Sequence, residues 1–553
     1  MIIGLDVGGT HTDAALISNG EVLSNAKVAT DYKDLYSSVM GALDRVLAGV
    51  DVSDLARIVF STTLATNSVV QGKEDPAALI ISAGPGLDPT NFLPTRDYYV
   101  VKGGIDHRGR EIQPINPEEI RSIAREIHEN YLTCLGVAGK FSTRNPTHEL
   151  DIKKALGDGF QYIATGHTVS GNLNFPRRMI TTYLNAAIYR THKMFFDAVD
   201  RSLVSRKITA PIYILKADGG TMGLHQSLDF SAQTILSGPA ASVMGVLGLA
   251  RVDEEAVVLD VGGTTTDIAV LADGVPLLEP LGITLGPYKT LIRALYSKSV
   301  GIGGDSRVRI NMGKVTIGPD RAGPAMAFGG PQPTPTDAMV VMGLVKVGDR
   351  DRAAAGIAGL AEILKVRVEY AAEMIFNTTC RNIVNEVNTV IKQINSQPVY
   401  TIHEFLEGRV IRPRKIIIIG GPAPHLAPRL RELFRTTTIV PEHYDVANAV
   451  GAGIARTTTE ITLNVDTERE VLYCPEEQRR ENVSPNFTKK DAIRVAFDLL
   501  TKRARRMGAM EEKIEVELVE DMEFNIVRNF YTTGKNIRIK AQVKPGIVAK
   551  FFS

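Results

Sequence analysis

The octapeptide Asp6-Val7-Gly8-Gly9-Thr10-His11-Thr12-Asp13 returns as Asp260-Val261-Gly262-Gly263-Thr264-Thr265-Thr266-Asp267, with seven of eight positions identical at a separation of 254 residues. Self-similarity of this kind means one supersecondary unit used twice. Each copy follows a short apolar run, Ile2 to Leu5 and Val257 to Leu259, and precedes another, Ala14 to Ile17 and Ile268 to Leu271. Runs of that length around a glycine pair predict strand, tight turn, strand. The chain is therefore expected to be α/β and to carry one architecture in two copies.

Gly8-Gly9 and Gly262-Gly263 let the backbone turn so that successive N–H groups point into one concavity, and the hydroxyls of Thr10, Thr12, Thr264 and Thr265 add donors. Phosphate oxygens fit such a nest. A carboxylate at the mouth of each loop, Asp6 and Asp260, suits Mg²⁺, which takes one or two carboxylates together with phosphate oxygens and water. A single Asp-x-Gly-Gly reads as an ordinary hairpin turn. Two near-identical copies facing each other would clamp a triphosphate.

Paired loops of this type resemble the two phosphate motifs of the actin, hexokinase and heat-shock-chaperone superfamily, whose ATP site lies between duplicated α/β domains. Ile416 to Ala423, followed by a helical pattern from Leu426 to Phe434, resembles the adenosine motif, a strand ending in a glycine pair, Gly420-Gly421, on which base and ribose rest. Ala447 to Ala455 resembles the small-residue helix that crosses beneath the cleft as a hinge. Other segments resemble the A subunit of hydantoinase and the N-terminal half of 5-oxoprolinase. Among them are Ser61–Asn67, where the family usually begins with His, Ser142 to Glu149 (Ser-x-Arg-Asn-Pro-x-His-Glu), Gly166 to Gly171, Leu236 to Ser242 and Gly301 to Ser306, which carries Gly303 and Gly304. The likeness covers roughly residues 1 to 460.

That resemblance implies two duplicated ribonuclease-H-like lobes of the actin-like ATPase type, 1–190 with the first phosphate loop and 191–460 with the second loop and the adenosine motif. Within the second, Arg352 to Ile363 and Val366 to Ile394 read as long helices. Beyond Thr459 the texture changes: the 90 residues from Asn464 hold 17 basic and 15 acidic residues, a more solvated stretch than the 23% charged chain as a whole. Residues 461–553 are expected to form a small α+β domain, with a helix opened by Thr488 and Asp491 and strands at Lys513 to Leu518 and Ile537 to Lys540. The cluster Lys502 to Arg506, with Glu511 and Glu512 nearby, reads as a solvated helix end.

Composition excludes several classes. Sixty-three Lys and Arg against 62 Asp and Glu leave no field for nucleic acid. Three scattered cysteines suit neither a disulfide framework nor a zinc finger, and a reducing cytoplasm is expected. The opening residues lack a leader pattern and no run reaches about 18 apolar residues, so neither a signal peptide nor a membrane span is expected.

Some polar groups fit no local motif. Asp106, His107, His148 and His167 carry atoms that ligate metals, but their spacing does not require a metal, and hydrogen bonding to structure or substrate is the favoured role. His167, between Gly and Ser neighbours, reads as an accessible acid/base candidate. Arg177 and Arg178 could hold a carboxylate or a phosphoryl group, or be surface charges at a helix start. Arg178 and His148 are taken as substrate contacts.

The resemblance implies an ATP-dependent hydrolase of a cyclic amide such as a hydantoin, oxoproline or lactam. Phosphorylating the carbonyl oxygen would turn it into a leaving group and open the carbon to water. Asp6 and Asp260 would organise Mg²⁺, and Asp13, Asp267 or His167 would serve as base. A second hydantoinase-type subunit and homo-oligomerisation are expected partners. A regulatory ATPase that acts on a partner enzyme and a small-molecule kinase remain the alternatives.

Overall fold

The computed structural model describes residues 1–31, 33–279, 281–396, 410–509 and 514–552. Glu511, Glu512 and Lys513, which figured in the reading of the C-terminal region, lie outside them. The first octapeptide is the turn between β1 (Ile2–Val7) and β2 (His11–Ser18), with Asp6 opposite Asp13. β2 continues antiparallel into β3 (Glu21–Ala29), while β4 (Arg57–Thr62) and β5 (Ile212–Leu215) add on the other side of β1 in parallel. A short β6 (Thr221–Gly223) closes the order β6-β5-β4-β1-β2-β3. β1 and β4 read as apolar runs because both faces are covered, as parallel strands require.

The second octapeptide turns between β7 (Ala256–Val261) and β8 (Thr266–Ala272), again with the two aspartates, Asp260 and Asp267, opposite each other. This sheet runs β9-β8-β7-β10-β11, where β9 is Val275–Pro276, β10 Lys415–Ile419 and β11 Thr437–Ile439; β10 and β11 are parallel to β7. Both sheets set an antiparallel run of three consecutive strands beside parallel strands: the first has the order 3-2-1-4-5-6 from its own first strand, and in the second residues 297–300 also pair with β8. The expected long helices fall at Arg350–Leu364 and Val368–Ser396 and cover the second sheet.

Between the sheets lie α1 (Ser237–Leu249) and α2 (Ala447–Ile454). Both are rich in Gly, Ala and Val, and their backbones touch. A Cβ added to Gly451 would fall 2.0 Å from Ala241 O, and one added to Gly245 would fall 2.1 Å from Ala447 O. No residue with a side chain fits either crossing point. Val59 and Leu215 from the first sheet, Val243 from α1, and Val258 and Ile417 from the second sheet share one buried cluster across this junction.

Two further bodies flank these sheets. Between β4 and β5 the chain builds a parallel sheet from residues 78–82, 98–100, 134–139 and 162–165. The sequence reading ends the first lobe at 190, yet the first sheet takes β5 and β6 from 212–223, after this insertion and two helices, Phe175–Ala187 and Tyr189–Ser205. At the other end, β12 (Glu460–Asp466), β13 (Val471–Cys474), β14 (Arg479–Asn482), β15 (Val516–Arg528) and β16 (Tyr531–Val543) form an antiparallel sheet in the order β14-β13-β12-β16-β15. It packs on α3 (Lys489–Arg506), whose start carries the expected Thr488/Asp491 capping box. The chain then returns to the junction: Val548 N donates to Ile454 O at 2.8 Å and Phe551 N to Gly248 O at 2.9 Å. Among the described residues no helix is long and apolar enough to cross a membrane.

Candidate active site

The two octapeptide loops meet at one residue of α2. Asn448 Nδ2 donates to Asp260 Oδ2 at 3.0 Å and reaches Asp6 Oδ2 at 3.5 Å, so carboxylates 254 positions apart share a single amide. α1 adds a second donor, Ser242 Oγ to Asp260 Oδ2 at 2.6 Å. The two loops close alike, with Gly8 N donating to His11 O at 3.0 Å and Gly262 N to Thr265 O at 2.9 Å. Burial raises the pKa of Asp6 above the ordinary carboxylate value, and the charge of Asp260 adds to the rise. Asp6 Oδ1 is buried without a hydrogen-bond partner. A cation is one group that would satisfy it.

Behind each loop sits the second aspartate. Burial pushes Asp13 up to about 6, against the pull of Lys27, whose Nζ lies 2.7 Å from Asp13 Oδ2. Asp267 has no such cation. Its cross-strand neighbour is Ser299, and burial followed by the charge of Asp260 pushes it up to about 7. His11, at the exposed turn of the first loop, is held below its usual value by burial and by the positive charges of Lys27 and Arg321. Lys27 belongs to the first sheet, whereas Arg321 lies in the chain between β8 and β10 and pairs with Asp305 at 3.0 Å.

The other glycine pairs expected at a nucleotide gather around the second loop. Gly304 N donates to Gly262 O at 2.9 Å and Asp305 N to Gly263 O at 2.6 Å. A Cβ on Gly303 would lie 2.6 Å from Gly263 O, so the backbones can meet there only through glycine. Gly420, at the end of β10, has φ +91° and abuts Val261 O and Asp260 Oδ1, while Gly421 faces open space. Thr10 and Thr264 stand partly exposed in their loops, as does Thr265. Thr12 departs from expectation. It is fully buried and its hydroxyl pairs with Thr30 at 2.9 Å, because strand alternation turns it away from the side that carries Asp13.

His167 does not lie on an accessible loop. It is fully buried in the short helix Gly166–Val169, with its Nδ1 2.5 Å from Glu149 Oε2 and its Nε2 without a partner. Burial opposes ionisation of Glu149, but His167 and the backbone N–H groups of Gly139 and His167 hold its carboxyl below the usual range. Arg178 is equally buried. Its guanidinium donates to Asn172 O, Gly139 O and Lys140 O at 2.5, 2.8 and 2.7 Å, and burial lowers its pKa to about 10. Arg177 likewise donates to Leu281 O, Gly282 O and Thr290 O. His148 lies between Ser82 Oγ at 2.8 Å and Glu111 Oε1 at 3.0 Å. Asp106 pairs with Arg110 and accepts from the Arg108 backbone, and His107 lies with Arg108 and Phe141 on another groove. Among the described residues no group of three or more His, Cys, Asp or Glu could hold a metal ion.

Sequence reasoning missed Asn448, Ser242 and Lys27. Asn448 left one signal, an amide in an otherwise apolar small-residue helix. Lys27 left none, since only the strand register brings it to Asp13.

The hydantoinase/oxoprolinase family matches residues 178–461, and the hydantoinase/oxoprolinase N-terminal region matches residues 2–158. The acetophenone carboxylase gamma subunit of Aromatoleum aromaticum is 25% identical over 394 residues, covering 62% of this chain and 53% of its own. The caprolactamase subunit alpha of Pseudomonas jessenii is 24% identical over 439 residues, 70% of this chain and 62% of its own. The chain thus spans little more than half the length of these relatives. A nucleotide-free structure of acetone carboxylase, described as acting in ATP-dependent acetone carboxylation, has a TM-score of 0.74 at 17% identity and covers 100% of this chain and 88% of its own.

Proposed function

This chain belongs to the hydantoinase/oxoprolinase family, and on that premise we propose that it is an ATP-dependent hydrolase of a cyclic amide. The observation that carries the reading is the shared Asn448 amide, which sets the carboxylates of both repeated loops toward one point. The shared strand arrangement supports reading the sheets as duplicated ribonuclease-H-like lobes of the actin-like ATPase type, with ATP between them. In this reading the backbone N–H groups of Gly9–Thr10 and Gly263–Thr265 hold phosphates, while those of Gly8 and Gly262 close the turns, and Gly303 and Gly304 brace the second loop. Gly420 and Gly421 carry the adenosine. Asp6 and Asp260 fit Mg²⁺, since two carboxylates with an unsatisfied buried oxygen are the donor set that ion takes alongside phosphate. Bound Mg-ATP supplies the phosphoryl group that makes the amide oxygen a leaving group.

The chain's own residues do the rest. Lys27 and Arg321, one from each side of the cleft, counter negative charge near the loops. Asp267 holds a proton below about pH 7 and can accept one from water above it, which makes it a better-poised base than Asp13. His167 and Arg178 act from within the insertion as structural groups around Glu149. Three buried free thiols fit a cytoplasmic location, and a second subunit fits the relatives named as subunits. The likeness to the two carboxylase subunits favours one second reading, in which the same site activates a ketone.

A thermal-shift screen of lactams and hydantoins with Mg-ATP would identify the ring, since a ligand bound only by the native state raises its stability. Oxygen-18 placed in that ring's carbonyl is then expected in inorganic phosphate. Label that stays wholly in the carboxylate product would exclude carbonyl phosphorylation.

A further inference from the structure

Arg144 lies in the Ser-x-Arg-Asn-Pro-x-His-Glu segment and takes no part in the cleft described above. It lines a cavity of about 50 Å³ between the inserted parallel sheet and the C-terminal sheet, together with Arg469, Tyr473 and Arg480. Space of this size exceeds what one water needs, and it admits a small polar ligand.

The charges around it do not balance. Two nearby carboxylates, Asp466 and Glu468, are engaged by Arg108 at 2.7 and 2.6 Å, and Glu468 is also held by Arg528. Among the described residues Arg144 and Arg480 have no side-chain hydrogen bond and no ion pair, and Arg469 has only the backbone oxygen of Arg108. Arg144 and Arg469 are partly buried and Arg480 is exposed; Asp466, on the same lining, attracts Arg144 but is already paired with Arg108, so positive charge is left over for an anion to meet. Burial and the neighbouring charges of Arg538 and Arg108 hold the Arg144 guanidinium below its usual value.

A second observation is the Tyr473 hydroxyl, whose pKa is raised by burial and then by the charges of Glu149 and Glu476. Tyr473 is 4% exposed, its hydroxyl is buried with no hydrogen-bond partner, and its ring lies across the strand pair from Arg480. A buried hydroxyl without a partner costs free energy. An acceptor oxygen in the cavity would remove that cost.

We infer that Arg144, Arg480 and the Tyr473 hydroxyl form a binding site for a small oxyanion group, a carboxylate or a phosphate, at the junction of the insertion and the C-terminal domain. A guanidinium fork matches two oxygens of either group, and the phenol adds a third donor. The site is separate from the paired loops: its lining comes from the insertion and the C-terminal domain. The inference does not depend on the proposed reaction.

Isothermal titration of the full chain with inorganic phosphate and, separately, with acetate tests it. Binding of at least one anion is expected, weakened about tenfold or more in Arg144→Gln and several-fold in Tyr473→Phe, as the loss of a charged and a neutral hydrogen bond implies. Phosphate alone binding would assign a phosphoryl ligand, and acetate alone a carboxylate. Tyr473→Phe keeps the ring and serves as the test if Arg144→Gln fails to fold. Affinity unchanged in both variants, which would place any bound phosphate elsewhere, overturns the inference, as does no binding of either anion to the wild-type chain.

Discussion

The two octapeptide loops share seven residues of eight and one hairpin geometry, yet their surroundings differ in a directed way. In the first, Asp13 is neutralised by Lys27 across the strand pair, and Asp6 keeps an unpartnered oxygen. In the second, Asp260 is held by two donors, Ser242 and Asn448, while Asp267 faces only Ser299 and stays protonated up to about pH 7. One unit used twice has thus been given two electrostatic characters by neighbours outside the repeat. In the proposed function the first would hold a cation and the second exchange a proton.

The largest effect is expected where both loops act together. Asp260→Ala or Asp6→Ala should lower ATP turnover by about 10³-fold with the fold retained, as loss of a transition-state contact does. Steady-state ATPase rates with circular dichroism as the folding control measure this. Full turnover in folded Asp260→Ala would show that the repeat is not a site.

Asp267→Asn against Asp13→Asn breaks the comparison directly. A loss of about 10²-fold is expected at Asp267, the size of a general-base contribution, and a smaller one at Asp13. Because the base acts only when deprotonated, wild-type activity should rise with pH through about 7, and that limb should vanish in Asp267→Asn. Equal losses in both variants would remove the asymmetry. Stability carries the opposite sign. Between the ordinary 3.8 and about 7 the folded state keeps a proton that the unfolded chain has released, so stability falls as pH rises across that window. Asp267→Asn should therefore stabilise the chain at pH 8, by on the order of 2 kcal/mol in urea unfolding after allowance for solvent contact.

Asn448→Ala should cost about tenfold in turnover, since it removes the donor common to both carboxylates and leaves them to repel. An Asp6→Asn change in the same chain should then recover stability, which a double-mutant cycle would reveal. The smallest effect is expected from Lys27→Ser, which gives the first loop the neighbour of the second. Asp13 should titrate higher, with turnover changed by only about threefold. A drop as large as that of Asp267→Asn would mean that Lys27 touches the reacting phosphate.

The hairpins are legible in the sequence because their strands are adjacent and their turn needs glycine. The strand β10, α2 and the capped α3 are legible for similar local reasons. What escapes is set at long range. The boundary at 190 misplaces β5 because the strand returns to its sheet only after a whole inserted body. His167 looks exposed among Gly and Ser, but Glu149, eighteen residues earlier, draws it inside. Arg177 and Arg178 read equally well as ligand contacts or as surface charges, and both donate to carbonyl oxygens of other segments.

The return of residues 546–551 to the crossing helices also offers a way to watch the molecule work. Main-chain hydrogen bonds tie this segment to Ile454 and Gly248, near the C-terminal ends of the two helices between the sheets. All three native thiols are buried, so a cysteine placed at the exposed Lys550 would be the one accessible site for a thiol-reactive dye. Fluorescence from that position would report whether added nucleotide shifts the two helices, without a label near either loop.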